Sequence, residues 1–203
     1  MQEYGVLHRS LKEKLSRILK RGKSVLLLGP RQTGKTTLIN QYAADLEITL
    51  LIARTRRQYE ADPDQLIREV KALKRKDGNL PLVVIDEIQK VPTLMDGVQY
   101  LIDKNLGQFI LTGSSARKLR HNRNINLLPG RVIQLYLDPL TLAEVPRPYP
   151  EVENLLLYGS LPAIYLQNDS QVREEELDSY VDLYLEDEVR AEALVRDIGA
   201  FEN

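Results

Sequence analysis

Nine consecutive residues, GPRQTGKTT, have the types and spacing needed to hold a phosphate chain: Gly29, Pro30, Arg31, Gln32, Thr33, Gly34, Lys35, Thr36 and Thr37. They fit G-x-x-x-x-G-K-[ST] and lie between an apolar run and a helical pattern, the context this loop requires. Glycines at both ends let the backbone turn tightly, so that successive N–H groups point inward at phosphate oxygens. The following helix adds the positive end of its dipole. Lys35 can then reach the β- and γ-phosphates of a nucleotide, and the Thr36 hydroxyl can coordinate Mg²⁺.

A second run, LVVIDE, ends in two carboxylates 51 positions after Lys35. Asp86, at the carboxyl end of a buried strand, faces the crevice where ligands of open α/β sheets bind, and can hold the Mg²⁺ shell. Glu87 is the candidate general base that orients and deprotonates water for attack on the γ-phosphate. Alone, such a run also fits a strand entering a turn. Beside a phosphate loop it becomes half of a nucleotide site.

A third run, FILTGSS, places three small hydroxyls just past another strand. Ser114 is the first candidate to stand between the γ-phosphate and the attacking water, and Thr112 the second; a simple turn or helix cap remains open. Arg131, in PGRV, follows a loop carrying Arg117, Arg120 and Arg123. An arginine reaching a neighbouring subunit's γ-phosphate would stabilise transition-state charge and tie hydrolysis to assembly. For each arginine taken singly, plain surface solvation is the alternative.

The elements that must position these residues follow from periodicity. Leu11, Leu15, Ile18 and Leu19 recur at helical spacing and predict an amphipathic helix ending near Gly22. Short apolar runs predict strands at 24–28, 47–52, 82–85, 108–111 and 132–137. Helices are expected over 35–44, 63–76 and 92–104. Strands alternating with helices mean a parallel α/β sheet. After Asp138-Pro139 the strand pattern stops, and a bend rich in proline (Pro146, Pro148, Pro150) leads to a helical extension with a long helix from Val172 to about Asp197. The expected division is a core over 1–145 and an extension over 146–203.

Composition bounds the function classes. With 203 residues, 43% hydrophobic and 28% charged, the chain is an ordinary globular one. No apolar run approaches the 18 or so residues that span a bilayer, and the first ten residues do not resemble a signal peptide. No membrane association is expected, and a cytoplasmic location is the default. Zero cysteines and two distant histidines, His8 and His121, argue against a zinc site. The net charge of −1 hides an asymmetry: residues 1–168 carry 25 Lys/Arg against 17 Asp/Glu, and residues 169–203 carry 3 against 12. Basic clusters at 9–23, 54–57, 71–76 and 117–123 can face a nucleic-acid backbone or simply solvate helix faces.

Taken together, GPRQTGKTT, LVVIDEIQK, FILTGSSARKL, LPGRV, DPLTLAE and YGSLPAIY resemble the prokaryotic AAA-type ATPases that carry an uncharacterised C-terminal domain often compared with nucleases. The resemblance spans about Arg9 to Phe201. It implies an ASCE P-loop core with a five-stranded parallel sheet in the order 5-1-4-3-2 and a small C-terminal helical extension. It also implies ATP and Mg²⁺ as cofactors, with family roles for Lys35, Thr36, Asp86, Glu87, Ser114 and Arg131. Such proteins typically continue for about as long again, so the chain is expected to be their N-terminal ATPase part.

The expected activity is ATP hydrolysis that switches or drives an attached or partner module, with a homo-oligomer and a DNA or protein partner as candidate associations. A nucleotide-gated DNA- or protein-interaction module with little hydrolysis is the alternative. A small-molecule kinase fits less well, because Glu87 directly after Asp86 favours water as acceptor. A GTPase lacks its expected Asn-Lys-x-Asp base reader.

Overall fold

The computed structural model describes residues 7–73, 78–114, 128–145 and 152–184. Five strands form one parallel sheet: β1 (Ser24–Leu28), β2 (Leu46–Thr49), β3 (Leu82–Asp86), β4 (Gln108–Gly113) and β5 (Val132–Tyr136). Their order is β2-β3-β4-β1-β5. Read from the other edge, this is the expected 5-1-4-3-2.

The central strands β1, β3 and β4 read as nearly continuous apolar runs because helices cover both sheet faces, and the pleat sends alternate side chains to opposite sides. Leu26 and Leu28 of β1 join Val83, Ile85, Phe109 and Leu111 in one core layer. Val25 and Leu27 join Val84, Ile110 and Leu135 in the other. Helices α4 (Gln65–Ala72) and α5 (Leu94–Asp103) close the first layer through Leu66, Val70, Leu94, Val98 and Leu101. Helices α1 (Leu11–Lys20) and α2 (Lys35–Ile39) close the second through Leu15, Ile18, Leu38 and Ile39. β1 lies between β4 and β5, while the chain leaving it crosses to β2 at the far edge. The sheet therefore reverses its winding at β1, and its carboxyl end opens a crevice there.

Element boundaries shift by a few residues, and the largest departures from expectation lie between β1 and α4. α2 stops at Ile39 rather than near Ala44, and the chain turns through Gln41 and Tyr42. Tyr42 Oη then bonds Ser16 Oγ (2.9 Å) and the Lys12 carbonyl (3.1 Å), pinning the turn to α1. β2 ends at Thr49 rather than Ile52, leaving Leu51 and Ile52 exposed. Helix α3 (Ala53–Ala61) was not expected, because only Tyr59 of its residues is buried. With no apolar stripe, its signal lies in good helix formers, Ala, Arg, Gln and Glu, rather than in periodicity.

The described residues divide into two compact units, one over His8–Asp138 and the other containing the chain from Pro139 onward. In the second unit, α6 (Val152–Tyr158), α7 (Pro162–Leu166) and α8 (Ser170–Tyr184) are all helical. Pro162 opens α7 at a position where a missing N–H costs nothing. The Asp169 carboxylate accepts the Gln171 and Val172 N–H groups (2.9 and 3.2 Å) and so caps α8. Arg173 stacks 4.8 Å from the Tyr158 ring, linking α8 to α6. The expected proline bend at Pro146, Pro148 and Pro150 and the end of the long helix near Asp197 lie outside the described residues. Among the described residues no helix is long and apolar enough to cross a membrane.

One polar contact ties α3 to α4. Tyr59 Oη donates to Glu69 Oε2 (2.5 Å), and Gln65 Nε2 donates to the other carboxylate oxygen (2.6 Å). Burial, aided by the Glu69 carboxylate, pushes the Tyr59 phenol well above its ordinary value of 10.0. The folded chain therefore keeps this proton where the unfolded chain releases it, so stability is full below pH 10 and falls as pH rises beyond it. Tyr59→Phe is expected to cost about 1 kcal/mol at neutral pH. That gap should narrow as denaturant midpoints are measured from pH 9 upward, and a constant gap would refute the linkage.

Candidate functional site

The site is assembled where β1, β3 and β4 end. Gly29 follows β1 with φ of +154°, and a Cβ there would lie 2.2 Å from the Leu137 carbonyl oxygen. Only glycine lets the loop leave the sheet so close to the neighbouring chain. Gln32 (φ +61°) and Gly34 (φ +89°) also take left-handed backbone, and α2 starts directly after Gly34. Buried Thr33 braces the turn by donating its hydroxyl to the Pro30 carbonyl (3.0 Å). Arg31 and Thr37 lie exposed on the loop and the first turn of α2.

Lys35 is buried and its Nζ donates to the carbonyls of Gly29 (2.8 Å) and Pro30 (2.7 Å). The ammonium is thus folded over the loop that it would share with phosphates. Thr36 Oγ1 donates to Asp86 Oδ2 at 3.0 Å. The other Asp86 oxygen accepts the Thr112 hydroxyl, and the same Thr112 Oγ1 accepts the Glu87 N–H at 3.0 Å. Asp86 and Thr112 are both buried. The hydroxyl therefore ties the two acids together, which distinguishes it from Ser114, two residues further on.

Glu87 stands in left-handed backbone at φ +61°, uncommon for a residue with a side chain. Its carboxylate accepts the Gln89 side-chain amide, and the same Nε2 donates to Ser114 Oγ at 3.2 Å. Hydrogen bonds thus join Thr36, Asp86, Thr112, Glu87 and Ser114, with Gln89 as the link to Ser114, and Lys35 adjoins Thr36 at the start of α2.

Arg131 is not in that neighbourhood. It precedes β5 at the end of the sheet where Ser24 pairs with Val132, whereas the loop leaves from the opposite end, where Leu28 pairs with Tyr136. Its guanidinium forms a two-pronged pair with Asp103 (2.6 and 2.9 Å) at the end of α5. That hydrogen-bonded partner holds the exposed Asp103 carboxyl below its ordinary value. Arg117, Arg120, Arg123, Ser115 and His121 lie outside the described residues.

Two site residues were not singled out by motif. Gln89 sits two positions beyond Glu87, on a 3-10 turn at Ile88–Lys90, and its only sequence signal is that spacing. Arg9 reads as one of a basic cluster facing outward, yet it is buried. Its Nη1 donates to the Thr33 carbonyl (2.5 Å) and its Nη2 to the Asp138 carbonyl (2.6 Å).

Comparison with known proteins bears on the family and the fold. The chain is 30% identical over 175 residues to the uncharacterized proteins Mb2031c of Mycobacterium bovis and Rv2008c of Mycobacterium tuberculosis, covering 85% of this chain and 37% of each relative. It therefore spans little more than a third of their length. The structure is similar to that of the Walker-type ATPase PABY2304 of Pyrococcus abyssi, with a TM-score of 0.56 and 19% identity, over 94% of this chain and 76% of that one. That likeness is one of fold. A family model described as an AAA domain matches residues 21–146, which include the loop, the paired acids and Ser114. With the parallel order and the phosphate loop at the β1 end of that span, the chain belongs to the AAA domain family.

Proposed function

We propose that the chain binds ATP with Mg²⁺ in the loop from Gly29 to Thr37 and hydrolyses it, switching or driving a partner or attached module. The observation that carries this reading is the joined set Thr36, Asp86, Thr112 and Glu87 beside Lys35. It supplies, within one bonded cluster, two oxygens suited to a cation and a separate carboxylate, with a phosphate-seeking ammonium on the adjoining residue.

Thr36 Oγ1 and Asp86 Oδ2 are hard oxygen donors 3.0 Å apart, a pairing that fits Mg²⁺. When bound, the ion would neutralise charge on the phosphate oxygens. Among the described residues no three His, Cys, Asp or Glu side chains gather as a metal site of their own. Mg²⁺ suits one carboxylate shared with nucleotide phosphates. Lys35 would exchange its two loop carbonyls for phosphate oxygens, and the loop N–H groups would donate to the same chain. Glu87 would orient a water and take its proton as the water oxygen bonds to the γ-phosphorus. The bond from that phosphorus to the bridging oxygen breaks, leaving ADP and phosphate. Ser114 would donate to the γ-phosphate or the water, and Arg131 of a second copy would serve only by exchanging Asp103 for the phosphate.

The test is steady-state ATP hydrolysis against protein concentration, with ATP binding measured in parallel. Lys35→Ala is expected to weaken ATP binding about 10–100-fold through loss of charge-assisted hydrogen bonds. Equal affinity in the variant would overturn the site. If Arg131 acts in trans, turnover rises faster than linearly with concentration and Arg131→Ala removes that rise without changing ATP affinity. A linear dependence in both proteins rejects that role alone.

A second reading, a nucleotide-gated interaction module with little hydrolysis of its own, is favoured by the outer face of α1 and the turn after it. Lys12, Lys14, Arg17, Lys20, Arg21 and Lys23 are all exposed there. Binding to DNA that falls steeply with salt, with ATP bound but not turned over, would select it.

A further inference from the structure

We propose that Gln89 is a positioning residue of the hydrolytic site, its side-chain amide placing the Glu87 carboxylate and tying it to the Ser114 hydroxyl. The proposal rests on the hydrolysis reading above. It begins with the Glu87 backbone, held at φ +61° with its N–H on Thr112. This fixes where the side chain starts and leaves its own torsions unsettled. A base that wanders by an ångström loses most of its effect.

Gln89 supplies the missing constraint. Ile88, wholly buried in the core layer, anchors the 3-10 turn that carries it. The amide Nε2 spends one hydrogen on Glu87 and the other on Ser114 Oγ, 3.2 Å away. Turning the amide over would set its oxygen against the Glu87 carboxylate, so charge dictates the orientation. Ser114, accepting from Gln89, keeps its own O–H to donate, which is the polarity a γ-phosphate oxygen requires.

The other end of the amide indicates what it is for. Gln89 Oε1 is buried with no hydrogen-bond partner among the described residues. It lies where a Cβ on Gly113 would come within 2.9 Å, so the β4 end leaves this space only because residue 113 is glycine. A buried carbonyl without a partner costs stability. An apolar side chain of the same length would avoid that cost, so the amide is explained by its two donated bonds and not by packing.

Gln89→Met keeps the length and removes both donors together with the orphaned oxygen. Its kcat for ATP is expected to fall about 100-fold, with KM and ATP affinity within about twofold of wild type and the melting temperature unchanged or raised. Gln89→Glu sets a second carboxylate against Glu87, and its kcat–pH profile should gain an ionisation that the wild type lacks. Turnover of Gln89→Met within about twofold of wild type overturns the proposal. So does a loss of turnover matched by equal losses of ATP affinity and melting temperature, which marks a structural role. Absence of turnover in the wild type would sink the hydrolysis reading instead. The amide contact is then judged by the melting temperatures of Gln89→Met, Glu87→Ala and the double variant: non-additive shifts sustain it, and additive shifts overturn it.

Discussion

Glu87→Gln is expected to lower ATP turnover about 10²–10⁴-fold, the range of a lost general base, while ATP binding persists. The substitution changes almost no shape. An amide oxygen at residue 87 can still accept the Gln89 hydrogen bond, and its backbone N–H still reaches Thr112. What disappears is the ability to take a proton from water. The Asp86 carboxylate, which would hold the cation with Thr36, is engaged with the Thr36 and Thr112 hydroxyls and keeps both in the variant. Binding and turnover should therefore separate cleanly. Nucleotide affinity by calorimetry beside phosphate release under saturating ATP measures both. A variant that hydrolyses at the wild-type rate would remove Glu87 from the mechanism, and one that no longer binds would mean the acid supports the loop instead.

Gly29→Ala should be the most damaging added methyl among the described glycines. At φ +154° an L side chain is strained before it meets anything, and here its Cβ would sit 2.2 Å from the Leu137 oxygen and 3.0 Å from its carbonyl carbon. Both obstacles are backbone, so no rotamer change relieves them. The chain can yield only by opening the β1–β5 margin, where the Leu137 N–H donates to the Leu28 carbonyl at 2.8 Å. The expected loss is on the order of 3 kcal/mol or more, against a total stability of about 5–15 kcal/mol for a domain. Gly22→Ala is the control. It has φ of +70° and nothing within 4 Å of its added methyl, so it should cost only the left-handed backbone preference of about 1–2 kcal/mol. Equal shifts of the urea midpoint in the two variants would refute the steric account.

Much of this arrangement was legible because parallel strands buried on both faces leave compact apolar runs. β1, β3 and β4 stood out as such runs and β5 by its β-branched and aromatic residues, although their order came from family resemblance and not from periodicity. The loop was legible for a different reason: phosphate binding constrains residue type at every few positions. Helix α3 was not, since one buried Tyr59 makes no stripe. Nor were Arg9 and Gln89, whose importance depends on partners 24 and 25 positions away. A lone arginine before a helix or a lone glutamine after an acid has no periodic context. Only the fold shows which carbonyl or hydroxyl it meets.

The Arg9 guanidinium bears on where a self-sufficient AAA domain begins. The family match starts at residue 21, but the carbonyl of Thr33 inside the phosphate loop is held from residue 9, and the same cation grips Asp138, the last residue of the compact unit. One buried charge thus joins both margins of the unit to the loop from Gly29 to Gly34. Excision or domain grafting that honours the motif and discards α1 would strip the loop of a backbone support that lies outside the motif. The transferable piece is set by this clasp, from ahead of Arg9 through Asp138.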